Sequence, residues 1–100
     1  MPAIVRFQDK CSGHSCFPPR PNNQASDDVL VNGKGAHRQG DSWELHACPN
    51  TPPHGGVLSA GSESVYVNGK PLARIGDPIS CGSTCAEGSN NVFEIGRAHV

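Results

Sequence analysis

Large apolar residues are scarce in this chain. Leu, Ile, Val and Phe account for 19 of its 100 residues, with one Trp, one Tyr and one Met. So thin a supply excludes a large hydrophobic core, and at high net charge it would point to disorder. An excess of one charge is missing as well. Eight Lys and Arg face nine Asp and Glu, a formal net charge of -1, which removes the electrostatic drive for binding nucleic acid or another polyanion. The sequence has no run of 18 apolar residues and no charged-then-apolar opening. Those absences argue against a helical membrane span and a Sec-type leader, and predict a soluble chain made in the cytosol. A mass of 10.5 kDa predicts roughly 5,400 Å² of folded surface, against roughly 15,000 Å² unfolded, and hence one domain.

Gly, Pro, Cys and His are plentiful instead. Twelve Gly and nine Pro punctuate the chain too often for long helices, and β-branched residues lead the apolar set, so short strands and turns are expected. Five Cys and five His are a surplus for this length, and a small domain with a poor core needs a staple. The odd Cys count and the missing leader favour a metal over disulfides.

Aligned on itself, the chain repeats. VNGKGAHRQGD at 31–41 matches VNGKPLARIGD at 67–77 at seven of eleven positions without a gap. Ser26, Val29 and Val31 extend the match to Ser62, Val65 and Val67. Gly88, Ser89, Val92 and Gly96 echo Gly61, Ser62, Val65 and Gly69, while VRFQD at 5–9 supplies the second half of a unit that the C-terminal copy lacks. Val-x-Val followed by Asn-Gly is a strand entering a type I′ turn, and A-x-R-x-G-D is the returning strand. The expected fold class is all-β: three short hairpins related by pseudo-threefold symmetry, the third completed by pairing the two ends of the chain.

Each returning strand ends at an Asp and leads to a candidate metal ligand. His14 follows Asp9 by five residues, His46 follows Asp41 by five, and Cys81 follows Asp77 by four. His54-Gly55-Gly56 aligns with Cys81-Gly82-Ser83 and supplies a fourth. Symmetry gathers these loops at one end of the axis, where three imidazoles and a thiolate suit tetrahedral zinc, with iron as second choice. The predicted metal site is therefore His14, His46, His54 and Cys81. His37, opposite Ala73 in the repeat, is read as structural, and His99 belongs to the terminal RAHV. Cys48 is the reserve ligand; Cys11, Cys16 and Cys85 fit as buried small groups, with a Cys11–Cys16 disulfide as an alternative.

Other classes find less support. A small zinc-dependent hydrolase with a bound water needs an open coordination position and a base, for which Glu44 is the one acid near His46. The chain holds no HExxH and no nucleophile elbow. A zinc-ribbon binder of nucleic acid would need CxxC pairs and basic clusters.

MPAIVRFQD, the repeated VNGK-x-x-x-R-x-GD, GHSC, HAC, PPHGGVLSAGS and GDPISCGS together resemble a PAAR-repeat protein over residues 1–96. The resemblance implies a small sharp cone of β-hairpins with zinc near its apex, its ligands falling on the same four positions. It also implies a partner and a role: one non-enzymatic cap per trimeric β-helical spike, at the tip of a type VI secretion system or a contractile phage tail. There it would contact the target membrane transiently during puncture, and effectors are possible further partners. GHSCFPPRPNNQASDD in the first unit departs from the short HGG-type connection, so Cys16 stands as a substitute for His14. One domain over 1–96, a short tail at 97–100 and a cone without a fused toxin are expected.

Overall fold

A computed structural model describes residues 2–94. Gly96, His99 and the 97–100 tail lie outside the described residues. Among the described residues there is no helix. Six strands form three antiparallel hairpins: β1 (Leu30–Val31) with β2 (Lys34–Gly35), β3 (Ser42–Cys48) with β4 (Thr51–Val57), and β5 (Tyr66–Val67) with β6 (Lys70–Pro71). The turns at 32–33 and 68–69 have the positive φ that the Asn-Gly pairs predicted: 55° and 78° at Asn32 and Gly33, 55° and 79° at Asn68 and Gly69.

The third hairpin closes across the two ends of the chain. Ala3 pairs with Phe93 as Gly35 pairs with Leu30 and Pro71 with Tyr66. The Ile4 amide donates to the Val92 carbonyl (3.2 Å), as Ala36 does to Val29 (2.9 Å) and Leu72 to Val65 (3.0 Å). Three fully buried residues from equivalent positions meet on the axis in a closed ring of hydrogen bonds. The Val5 amide donates to Ala73, Ala73 to His37 and His37 to Val5, at 3.1, 2.9 and 3.0 Å.

Each repeat carries its own polar lock. Arg6, Arg38 and Arg74 each donate Nη2 to Oδ1 of the Asp three residues on, at 3.0 Å in all three cases, while Nε and the Arg backbone amide reach Oδ2. This satisfies an amide at the start of each tight turn and explains why R-x-x-D recurs. Ser26, Ser62 and Ser89 are likewise buried, and each hydroxyl accepts from the amide of the Val three residues on.

Two apolar layers stack along the axis. Toward the base lie Ile4, Val31, Ala36, Val67 and Leu72; above them lie Val5, Cys11, Trp43, Leu58, Ala73, Ile79 and Cys85. The upper layer is built of facing pairs from equivalent positions, Cys11 with Cys85, Trp43 with Asn22 and Ile79 with Leu58. Above it the core ends and the loops begin. The exposed area of the chain, 5321 Å², is close to that expected for one domain of this mass.

Candidate metal centre

Four segments converge above the upper apolar layer. His14 stands in a tight loop whose ends are tied by reciprocal bonds between His14 and Phe17, at 2.8 and 3.0 Å. His46 and His54 face each other across β3 and β4. Cys81 follows Ile79 in the third unit, and Gly56 lets β4 pass close beside it, since a Cβ on Gly56 would sit 3.2 Å from the Cys81 nitrogen.

The donor atoms of His14, His46, His54 and Cys81 all lie within 4.8 Å of one another. The His54 Nε2 is 3.0 Å from His14 Nε2 and 2.9 Å from His46 Nε2. A tetrahedral zinc with bonds of about 2.0–2.3 Å separates its donors by about 3.3–3.6 Å, so the cluster is on the scale of one ion. His46 is buried and the other three are half-buried. The His46 Nδ1 lies 2.9 Å from the Pro18 carbonyl oxygen, which fixes the proton on Nδ1 and turns the Nε2 lone pair inward. Desolvation, reinforced by His46 and His14, holds the His54 imidazole below its ordinary pKa, favouring the neutral form that a metal needs.

A family profile described as the PAAR motif matches residues 12–87 and 50–99. The chain belongs to the PAAR-motif family. This PAAR chain is similar to the NAD(P)(+) glycohydrolase toxin Tse6 of Pseudomonas aeruginosa, at 36% identity over 76 residues, or 70% of this chain and 17% of that protein. It has the same identity and the same coverage with the (p)ppApp synthetase toxin Tas1 of Pseudomonas aeruginosa. With the double-stranded DNA deaminase toxin A of Burkholderia cenocepacia it is 40% identical over 68 residues, 68% of this chain and 5% of that protein. The chain thus spans less than a fifth of the length of the curated relatives it matches.

The structure brings together all four residues picked from the repeat of this PAAR chain, and corrects the reading of the remaining thiols. Cys16 is joined to Cys48, with their Cα atoms 5.6 Å apart. The reserve ligand Cys48, the Cys16 substitute for His14 and the Cys11–Cys16 disulfide are therefore all set aside. Cys11 and Cys85 are free and buried in the upper layer. An odd cysteine total had argued against disulfides, but one pair with three free thiols satisfies the same arithmetic. His37 is structural, as expected: it is fully buried, its Nδ1 is 2.8 Å from the Gln24 carbonyl and its ring meets Trp43 edge-on.

Sequence reasoning passed over Phe17. Its ring lies 4.9 Å from His14, 4.9 Å from His46 and 4.2 Å from His54, centroid to centroid, so one aromatic side chain covers all three imidazoles. The available signal was His-x-Cys, present at 14–16 and again at 46–48. Two arms that carry a ligand at equivalent places also carry a thiol at equivalent places.

Proposed function

We propose that this chain is a non-enzymatic cap that sharpens the tip of a trimeric β-helical spike, and that a zinc ion held by His14, His46, His54 and Cys81 stiffens its point. The observation that carries this reading is a ring at the other end of the molecule from the His/Cys cluster. Leu30, Tyr66 and Phe93 occupy equivalent positions of the three hairpins, and they remain 59%, 56% and 42% exposed. Three large apolar side chains presented in threefold array by one chain suit a threefold partner, which would bury them and continue the β-structure. The PAAR-motif match and the toxins that share part of this chain support a role at the tip of a secretion spike.

Zinc suits the donor set of three imidazoles and a thiol, and when bound it would supply a rigid four-way cross-link. In small zinc domains such binding contributes on the order of 10 kcal/mol of folding free energy. That is what a pointed end above the last apolar layer requires. A hydrolase would need an open coordination position for water, whereas the four protein donors of this cluster already make up a tetrahedral set.

The test is binding of the purified chain to a trimeric β-helical spike protein from the same genome. The expected stoichiometry is one chain per trimer, measured by light scattering of the complex. The triple substitution Leu30→Asp, Tyr66→Asp and Phe93→Asp is expected to abolish binding while leaving the zinc content intact. A triple variant that binds as tightly as the wild type overturns the base ring as the docking face.

A further inference from the structure

Next to the His/Cys cluster, the first-unit insert carries features that a passive connection does not need. Phe17 covers the three imidazoles, and its backbone is tied to His14 in both directions. The next carbonyl, of Pro18, holds His46 in orientation. Between ligand and cover stands Cys16, exposed, bonded to Cys48 two residues beyond His46. One covalent link therefore joins the arm that bears His14 to the arm that bears His46, just outside both ligands.

We propose that residues 15–18 form a redox-latched cover over the metal centre, with Phe17 as the lid and Cys16–Cys48 as the latch. This rests on the reading of the cluster as a zinc site. With the latch open, only hydrogen bonds hold the lid, the two within the His14–Phe17 loop and the one between the Pro18 carbonyl and His46, and the metal can be loaded or exchanged. With the latch closed, the lid is anchored to β3 and the metal is retained. The chain would acquire its metal in a reducing compartment and keep it in an oxidising one.

The closing step requires an oxidant, and a low-molecular-mass disulfide such as oxidised glutathione serves. The Cys16 thiolate, being exposed, attacks one sulfur of that disulfide, breaking its S–S bond and releasing one glutathione thiolate. The Cys48 thiolate then attacks the Cys16 sulfur of the mixed disulfide and expels the second. Two electrons pass from the protein dithiol to the glutathione disulfide, and the two protons lost by the cysteines end on two glutathione thiols. Cys11 and Cys85 are buried in the apolar layer and take no part.

The experiment uses the full zinc-loaded chain, equilibrated with reduced or with oxidised glutathione at one pH. Zinc transfer to a chromophoric chelator is timed, and thiol alkylation is read by mass spectrometry. In the oxidised wild type, Cys16 and Cys48 are expected to resist alkylation and zinc is expected to leave about tenfold more slowly than from the reduced protein. The double variant Cys16→Ser, Cys48→Ser is expected to release zinc at the fast rate in both buffers. Phe17→Ala is expected to form the disulfide and still release zinc fast. Equal release rates from the two wild-type states, with the disulfide shown to form, overturn the latch. Thiols at 16 and 48 that stay alkylatable in oxidised glutathione overturn it too, and wild-type release from Phe17→Ala overturns the lid. A chain that binds no zinc removes the zinc-site reading together with the proposal, whereas bound zinc with redox-independent release removes the proposal alone.

Discussion

Gln8 holds a backbone φ of 72° at the position where the other two repeats place Gly40 (88°) and Gly76 (94°). A side chain in that region costs about 1 kcal/mol that glycine does not incur, offset in part by the greater freedom of an unfolded glycine. Gln8→Gly is accordingly expected to stabilise the fold by about 0.5 kcal/mol, raising the melting temperature by a few degrees. A variant that melts lower than the wild type would show that the Gln8 side chain contributes more than its backbone costs. His37 offers a second prediction at this scale. Burial pushes its pKa down, and although the Gln24 carbonyl and Asp41 pull the other way, the net shift is downward. Its Nε2 is buried without a partner, so protonation would strand a charged N–H. The unfolded chain takes up this proton more readily than the folded one. Stability is therefore full above about pH 6.5 and falls as the pH drops below it, at up to about 1.4 kcal/mol per unit, until the lowered folded pKa is reached. His37→Val, the residue found at the equivalent position 5, is expected to flatten the melting temperature between pH 7.5 and pH 5.5 relative to wild type. An unchanged slope would assign the acid sensitivity elsewhere.

At the scale of the element, the β3–β4 hairpin differs from the other two. It is seven residues to a strand against two, its register shifts on both sides of His46, and β4 carries Pro52, Pro53, Gly55 and Gly56. Such a hairpin has a ladder interrupted on both sides of His46 and reaches beyond the apolar layers, so its order there depends on cross-links. The disulfide closes a 32-residue separation and on chain-entropy grounds contributes roughly 3–4 kcal/mol; the zinc site would supply the rest. Chelation, His54→Ala or Cys81→Ala is each expected to remove the metal and lower the melting temperature by about 10 °C or more. Hydrogen exchange is expected to rise around His54 and Cys81 while the Ala36 and Leu72 amides stay protected. Uniform loss of protection would instead mean that tip and base melt as one unit.

Across the whole molecule, what could be read in the sequence was what the repeat writes more than once. The Asn-Gly turns, the hairpin shared between the two chain ends and the four converging ligand positions all follow from local chemistry copied along the chain. The Arg–Asp locks recur for the same reason, each linking residues three apart. The Phe17 cover was not legible, because it belongs to an insert with no counterpart in the other units; the two thiols of the Cys16–Cys48 link were written at equivalent places of two units, but the repeat does not say that they meet. Their partners are chosen by where the insert folds back, which no alignment of one unit on another reveals. The break in symmetry at Glu94 is of the same kind. It accepts from Arg74 and from the hydroxyls of Ser62 and Ser64, where Asn68 takes Arg38 and Ser26.

The ring of Val5, His37 and Ala73 makes the backbone nearly indifferent to a turn of 120° about its axis, while the side chains are not. In the assembly proposed above, a key of this kind would enter its threefold lock in three settings that differ only in which face looks which way. If the settings are close in energy, their multiplicity favours association by about 0.6 kcal/mol, a factor of three. Assembled particles would then be a mixture of rotational isomers, and an image averaged over the threefold axis would blend Leu30, Tyr66 and Phe93 into one side chain that exists in none of them.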